Sequence, residues 1–235
     1  ARLETIFLAS YRMYAPDGRG PILGTGGEAD TTVDTYAIQS LAGFATNPAL
    51  AWVCHTAKTP GLYDLGLRVQ LRGAVCPLPA EKAVSPIPQE TLDFPRYGGL
   101  AMRLPGTDRY CYFHYGREVV HGHRNKLSVN AYGKGAWFVR NVAGGYQHNF
   151  KAFLETVASA STVMVDGRNA DQDTGELLFK QSQPGAEIAS ARETGAWKDV
   201  EHERTVVLTK GPLIVIDRCK ADAEHVYDWL SHPCE

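Results

Sequence analysis

The densest group of chemically active side chains in the sequence lies at residues 121–126, which read His-Gly-His-Arg-Asn-Lys. Side chains two positions apart point to the same face of an extended strand, so His121 and His123 are expected to lie side by side. Imidazoles placed in this way suit a metal site, a proton-transfer pair, or one of each. A polar, exposed start of a strand explains the same residues without chemistry, and the motif alone leaves both interpretations open.

The residues after the two histidines distinguish between kinds of ligand. A cupin metal site also begins with His-x-His, but it requires a glutamate a few residues later, and residues 124–127 here are Arg-Asn-Lys-Leu. Arg124 and Lys126 bring positive charge next to any divalent cation, which disfavours metal binding and favours an anionic ligand. The motif therefore predicts recognition of a negatively charged substrate rather than a cupin-type metal centre.

The elements that position this motif are predicted to be short β-strands. Residues 126–132 alternate polar and apolar side chains, which predicts a strand with one buried face. Other strand-like stretches, rich in aromatic or β-branched residues, are 109–115, 136–139, 205–209, 213–217 and 225–230. The sequence Lys-Gly-Pro at 210–212 predicts the turn of a hairpin. Many short strands separated by turns indicate an antiparallel β-sandwich at 94–235, with mild helical character only at 155–160.

The chain before residue 94 has a different organisation. Apolar residues at helical spacing predict helices at 1–14, at 30–46, after Asn47-Pro48, and at 62–71. Five prolines between residues 77 and 95 predict an extended linker, because proline fixes φ and donates no backbone hydrogen bond. The predicted fold class is α+β, with a helical segment at 1–76, a proline-rich linker at 77–93 and the sandwich. The helical segment has too few helices to bury its own apolar faces, which indicates that it is the end of a larger helical domain.

Composition excludes several classes of protein. Hydrophobic residues make up 44% and charged residues 21% of the 235 residues, an ordinary globular balance that rules out extensive disorder. No apolar run is long enough to cross a bilayer, and a net charge of −2 provides no basic field for nucleic acid. We therefore expect neither a membrane nor a nucleic acid as a partner. The five cysteines form no C-x-x-C pair, so neither a zinc ribbon nor a thioredoxin-like site is indicated. Buried free thiols are the favoured interpretation, and one or two disulfides are the alternative.

Residues 121–128 (His-Gly-His-Arg-Asn-Lys-Leu-Ser), followed by Ala-Tyr-Gly-Lys-Gly at 131–135, resemble the heparinase II/III-like polysaccharide lyases. Further segments resemble strands and turns of that family in the same order along most of the chain: 16–19, 94–103, 162–167, 204–206, 215–218 and 225–232. The resemblance is specific as an ordered set of segments. It implies the last helices of an (α/α) toroid followed by the antiparallel β-sandwich of the family.

The resemblance implies an enzyme that cleaves a uronic-acid polysaccharide, such as alginate or a glycosaminoglycan, by β-elimination. A base removes the C5 proton, and positive groups stabilise the enolate-like charge that develops on the carboxylate. By this resemblance His121 is an active-site residue. Tyr146 is a second candidate catalytic group, for which a packing role of its ring is the alternative. Arg124, Asn125 and Arg140 are expected to bind the acidic sugar.

The resemblance also implies a zinc ion with His123 as one ligand. The second ligand of the family is an aspartate where this chain has Arg140-Asn141, and the third is a histidine where this chain has Ala160. Structural zinc sites use four ligands and catalytic sites use three with a water, so a lone His123 is a poor site. We therefore expect weak or absent zinc, with Arg140 supplying positive charge in its place.

The principal asparagine or histidine and tyrosine residues of the family lie in the toroid, upstream of the helices predicted here. The chain is therefore expected to be part of a longer lyase, or the partner of a chain that carries the remainder, in the periplasm or outside the cell. Two alternatives stay open. One is a non-catalytic carbohydrate-binding or scaffolding relative, and the other is a uronate C5 epimerase, which shares the proton-abstraction step.

Two further features have plain structural interpretations. Residues 201–203 read Glu-His-Glu, and in a strand the two carboxylates lie on one face and the histidine on the other, which suggests a solvated strand surface. The four tryptophans are candidates for stacking on sugars. Single tryptophans are more often core residues, so we expect them to be buried.

Overall fold

The computed structural model describes residues 5, 8–23, 47–56, 79–116, 124, 126–142, 148–171 and 174–234. The chain divides into two compact units, one of residues 1–20 and 29–88, and the other of residues 21–28 and 89–235. The domain boundaries expected from the sequence, at 76/77 and 93/94, stay predictions.

The first unit contains helix α1 (Pro48–Thr56). Its start was predicted correctly, and the reason is local: the Asn47 side chain accepts a hydrogen bond from the Ala49 N–H at 2.9 Å, and Pro48 has no N–H to leave unpaired. Its apolar residues Leu50 and Val53 are buried in a small cluster with Tyr11, Tyr14 and Ile87. Within the part of the chain that is described, no helix is long and apolar enough to cross a membrane.

The other predicted helices are only partly visible. In the stretch predicted as a helix at 1–14, the structure shows helical residues at Thr5 and Leu8 and a 3-10 helix at Ser10–Met13. The predicted helices at 30–46 and 62–71 lie outside the described residues. The sequence Ala-Pro-Asp-Gly at 15–18 is typical of a turn, and the structure has one there, with a hydrogen bond from the Gly18 N–H to the Ala15 carbonyl at 3.0 Å.

The second unit is built from antiparallel β-sheets. Five strands, hydrogen-bonded in chain order, form the first sheet: β1 (Leu92–Phe94), β2 (Gly99–Arg103), β3 (Tyr110–His114), β4 (Ser128–Gly133) and β5 (Ala136–Val139). Four strands in the order β10-β9-β8-β7 form the second: β7 (Glu176–Gln183), β8 (Ala186–Trp197), β9 (Val200–Thr209) and β10 (Leu213–Ala221). A short pair joins β6 (Val163–Val165) to β11 (Tyr227–Trp229).

The core lies between the two larger sheets. Leu100, Phe113 and Val129 from the first sheet pack in one buried cluster with Val206 and Leu208 from the second. Apolar burial of this kind is the main favourable contribution to folding. The predicted antiparallel β-sandwich is therefore confirmed.

The prediction that the strand after the motif buries only one face was wrong, because every residue of β4 is buried. Its second face is covered by a polar network rather than by solvent. Asn130 exchanges hydrogen bonds with the Ile22 backbone, and Ser128 accepts one from the Asn141 amide at 3.2 Å. Polar side chains on a strand therefore mark hydrogen-bonding partners here, not exposure.

Two further differences from the sequence predictions concern local structure. Helical character was predicted at 155–160, but the α-helix, α2 (His148–Leu154), lies before that stretch, which holds only a 3-10 turn at Val157–Ser159. The extended conformation of Thr156, with ψ of 159°, separates the two. Strands β7 and β8 were not predicted, because they are rich in Glu, Gln, Lys and Ala, which are depleted in strands.

Candidate functional site

The structure describes only some of the predicted site residues. Arg124 and Arg140 are described, and so are Asn141 and Ala160; by the resemblance, Arg140 or Asn141 and Ala160 stand where metal ligands were expected. His121, His123, Asn125 and Tyr146 lie outside the described residues, and their roles stay predictions.

The residues that directly follow the motif are firmly held. Lys126 and Leu127 form a turn that leads into β4, and both are buried. The Lys126 carbonyl accepts a hydrogen bond from the Thr162 hydroxyl at 2.7 Å. Leu127 has φ of +53°, a left-handed conformation that residues with a Cβ rarely adopt and that the surroundings must maintain.

Arg124 connects the motif to the loop after β6. Its Nη1 donates a hydrogen bond to the Ala170 carbonyl and lies 4.0 Å from the Asp171 carboxylate. The side chain is 30% exposed, so it remains accessible from solvent. A guanidinium carries five N–H donors, and these two contacts involve one nitrogen. Arg124 therefore suits recognition of a carboxylate or sulfate group.

Arg140 is placed differently. Its guanidinium carbon lies 4.5 Å from the centre of the Trp137 ring, in a cation–π contact, and its backbone N–H donates to the His232 carbonyl at 3.1 Å. Only 6% of the residue is exposed. Low exposure favours a contribution through charge and packing over an extended contact with a polymer.

The two stretches in which the resemblance predicts metal ligands, at 140–141 and at 160, lie next to each other in this chain. The Val142 N–H donates to the Ser159 carbonyl at 2.7 Å, and the Ser161 N–H donates to the Asn141 side-chain oxygen at 3.0 Å. The Asn141 NH₂ donates to the Ile22 carbonyl at 3.1 Å and to the Ser128 hydroxyl. Both ends of the Asn141 amide are therefore used within the protein.

These described residues do not fit a zinc site. The Asn141 oxygen already accepts a backbone hydrogen bond, and Ala160 offers a methyl group that is completely buried. Within the described ranges, no group of three or more His, Cys, Asp or Glu residues is arranged to hold a metal ion. Zinc ligation by His123 stays a prediction, and we assign no chemical step to a metal.

A cluster of buried charges that the sequence did not indicate lies behind this region. Arg204 on β9 is completely buried, and its Nε and Nη2 donate to the two oxygens of Asp217 on β10 at 2.7 and 2.9 Å. Its Nη1 donates to the carbonyls of Leu127 and Ser161, each at 2.8 Å. One side chain thus joins the second sheet to the residue that precedes β4 and to the segment that precedes β6.

His202 extends the cluster. Its Nε2 lies 2.7 Å from Asp217 Oδ1, and its Nδ1 lies 3.5 Å from Glu193 Oε1 on β8. Burial and the charge of Arg204 lower the pKa of His202, but the hydrogen bond with Asp217 and the nearby Glu193 carboxylate raise it more, so the pKa lies above its ordinary value. Burial raises the pKa of Asp217, yet its hydrogen bonds with His202 and Arg204 bring it well below the ordinary value.

The predicted alternation of residues 201–203 is confirmed, but the predicted solvated strand surface is wrong for His202. Glu201 and Glu203 are half-buried, whereas His202 faces the interior and is completely buried. Arg204 has the same strand parity as His202, Val206 and Leu208, and all four are buried. The sequence signal for this cluster is that the charged Arg204 stands at the same alternating positions as Val206 and Leu208, which are expected to be buried.

A mostly apolar cavity of about 600 Å³ opens between the two sheets. Its lining includes Phe138 on β5, Leu213 on β10 and Trp229 on β11. Trp229 is 57% exposed and donates its Nε1–H to Asp217 at 2.9 Å. The expectation of buried tryptophans is confirmed for Trp137 and Trp197 and is wrong for Trp229.

Comparison with solved structures identifies proteins of similar fold. One structure of heparinase III superposes with a TM-score of 0.68 and 10% sequence identity, covering 96% of this chain and 33% of that chain. A second heparinase III structure superposes with a TM-score of 0.67 and 13% sequence identity, covering 99% of this chain and 35% of that chain. A mutant of the heparan sulfate lyase HepC from Pedobacter heparinus superposes with a TM-score of 0.64 and 15% sequence identity, covering 94% of this chain and 32% of that chain.

No family model matches the sequence, and no curated protein matches it closely. At 10–15% identity the structural likeness establishes the fold. The chain spans about a third of the length of the solved structures it matches. The resemblance that the sequence motifs indicated is thus confirmed at the level of the fold: the chain has the architecture of one part of the heparinase III and heparan sulfate lyase structures.

Proposed function

We propose that this chain is part of a polysaccharide lyase that cleaves a uronic-acid polymer by β-elimination. The observation that carries the proposal is the joint occurrence of this fold and a His-Gly-His motif that residues 124–127 separate from the start of β4. The partly exposed, cationic Arg124 beside the motif supports an anionic substrate. Because one of the similar structures is a heparan sulfate lyase, heparan sulfate is the first polymer to test.

In the proposed reaction, a base removes the proton at C5 of the uronic acid, and the C5–H electron pair forms a C4=C5 double bond. The C4–O bond breaks, and its electron pair leaves with the 4-O group, which takes up a proton. Arg124 and Asn125 bind the carboxylate and stabilise the charge that develops on it, while Arg140 adds positive potential. His121 and Tyr146 are the proposed proton-transfer groups.

The proposal places the remaining catalytic machinery in polypeptide outside this chain. The similar structures are about three times as long as the segment matched here. We propose that an (α/α) toroid, of which the helices at 1–76 form the end, supplies further catalytic side chains and one wall of the substrate groove. A periplasmic or secreted location follows from a polysaccharide substrate of this kind.

A non-catalytic carbohydrate-binding relative is the second candidate. The observation that favours it is that the positions where the resemblance expects two metal ligands hold Arg140 or Asn141 and Ala160, whose side chains contact Trp137, are bonded within the protein or are apolar. A protein of this kind would retain binding through Arg124 and the surrounding surface without cleaving the polymer.

The test uses the full-length protein with separate solutions of heparan sulfate, chondroitin sulfate, hyaluronan and alginate. Formation of the C4=C5 double bond is followed by the ultraviolet absorbance of unsaturated uronate. Cleavage of at least one polymer is the expected result. Binding without cleavage identifies the non-catalytic relative, and incorporation of deuterium at C5 from heavy water without chain cleavage identifies an epimerase. Either of these outcomes overturns the lyase proposal.

A further inference from the structure

We propose that Arg204 is a positioning residue: it fixes the backbone at Leu127 and Ser161 and so holds the end of the segment that carries the His-Gly-His motif. The inference rests on the proposed function, since it explains how the sandwich holds that segment for catalysis. Arg204 lies on the central part of β9 and belongs to no predicted site.

One nitrogen of Arg204 bonds two backbone carbonyls that lie close together. Its Nη1 lies 2.8 Å from the Leu127 carbonyl and 2.8 Å from the Ser161 carbonyl. These carbonyls belong to two separate segments, one that enters β4 and one that enters β6. Because one nitrogen bonds both, movement of either segment away from the other requires a buried guanidinium to lose a hydrogen bond.

The two segments also bond each other on both sides of Leu127. The Thr162 hydroxyl donates to the Lys126 carbonyl at 2.7 Å, and the Val129 N–H donates to the Ser161 carbonyl at 3.3 Å. Leu127 itself has φ of +53°, which an L residue keeps only when neighbouring bonds enforce it. Arg204 supplies one of these bonds directly, at the last position before β4.

Asp217 in turn holds the Arg204 guanidinium in place. The two oxygens of Asp217 accept hydrogen bonds from Arg204 Nε and Nη2. Asp217 also contacts His202 at 2.7 Å and accepts a hydrogen bond from the Trp229 indole N–H. A buried ion pair of this kind is a weak source of stability, because well-packed apolar residues often serve equally well. Its directional bonds do what apolar residues cannot: they fix a backbone position.

The test compares three variants of the full-length protein. Arg204→Lys keeps the positive charge but lacks the planar fork that reaches two carbonyls and a carboxylate together. Asp217→Asn keeps the shape of the partner and removes its charge, which weakens the hold on Arg204. This variant replaces Arg204→Lys in the test if Arg204→Lys does not fold. Arg218→Lys is the matched control, since Arg218 is the exposed neighbour of Asp217 on β10.

The first measurement is amide hydrogen exchange by mass spectrometry. In Arg204→Lys, peptides that cover residues 124–130 and 160–163 are expected to exchange at least tenfold faster, while peptides from β7 and the β7–β8 turn keep the wild-type rate. Asp217→Asn gives a smaller increase at the same peptides, and Arg218→Lys gives none. Unchanged exchange at 124–130, or an equal increase throughout the sandwich, overturns the inference.

The second measurement separates positioning from general stability. With a polymer that the wild type cleaves, Arg204→Lys is expected to lower kcat at least tenfold and to leave KM within about twofold. Unchanged kcat overturns the positioning role even if exchange increases. If no polymer is cleaved, the proposed function fails, while the exchange experiment still decides whether Arg204 fixes the segment.

Discussion

The Arg204 guanidinium and the Asp217 carboxylate form a forked ion pair between neighbouring strands, with Nε 2.7 Å from Oδ1 and Nη2 2.9 Å from Oδ2. The arginine is completely buried, and its Nη1 donates to the carbonyl of Leu127, the residue directly before β4. One side chain thus links the second sheet to backbone that follows the His-Gly-His motif in the sequence.

Breaking this pair from one side is predicted to be costly. Arg204→Met removes the arginine charge and leaves the Asp217 carboxylate half-enclosed beside His202, so the free energy of unfolding should fall by about 3–5 kcal/mol. The double variant Arg204→Met/Asp217→Leu removes both charges and should lose clearly less than the sum of the two single variants. Urea unfolding measures all three. Additive losses contradict a coupled ion pair.

The stability of the protein is predicted to depend on pH through His202. Burial and Arg204 on its own strand lower the pKa of His202 in the folded state, but Asp217 on β10 and Glu193 on β8, which face its ring, raise the pKa more. A raised pKa stabilises the fold fully below the unfolded pKa of about 6.5, and this contribution is lost as pH rises through the folded pKa.

Unfolding free energies measured between pH 5.5 and 9 should therefore fall as pH rises, by at most about 1.4 kcal/mol per pH unit for one proton. In His202→Gln this slope should largely disappear, whereas His55→Gln, which changes an exposed histidine on α1, should keep it. An identical slope in wild type and His202→Gln contradicts the assignment.

The cysteines are predicted to differ in reactivity. Burial raises the pKa of Cys111 to about 12, despite the opposing effect of Arg204 and Arg109, whereas Cys234 is exposed. The thiolate is the nucleophile, so iodoacetamide at pH 8 should label Cys234 within minutes and leave Cys111 unlabelled in the folded protein. Peptide mapping measures both. Rapid labelling of Cys111 without unfolding contradicts the buried position.

Strands with β-branched or aromatic alternation were predictable from the sequence. The stretch at 109–115 contains β3, and the turn at 210–212 joins β9 to β10 in the structure. β7 was not predictable in this way, because its polar residues lie largely exposed on a strand whose backbone pairs with β8. Backbone pairing with a neighbouring strand, which local sequence does not encode, determined that element.

The candidate site was only partly predictable for a related reason. Period-two spacing placed His202 opposite Glu201 and Glu203, but it does not say which face meets the other sheet. The role of Asn141 likewise depends on Ile22 and Ser161, residues far away in the sequence. The family resemblance identified the His-Gly-His segment, whereas the hydrogen bonds from Arg204 to the carbonyls of Leu127 and Ser161 became visible only in the structure.

We propose that His121 takes part in β-elimination, and the decisive measurement is turnover by the full-length protein. His121→Ala and the exposed-site control His55→Ala are compared on a polymer that the wild type cleaves, by the absorbance of unsaturated uronate. Loss of a proton-transfer group should lower kcat at least about 100-fold in His121→Ala and leave the control unchanged. Wild-type turnover in a folded His121→Ala protein would contradict the account.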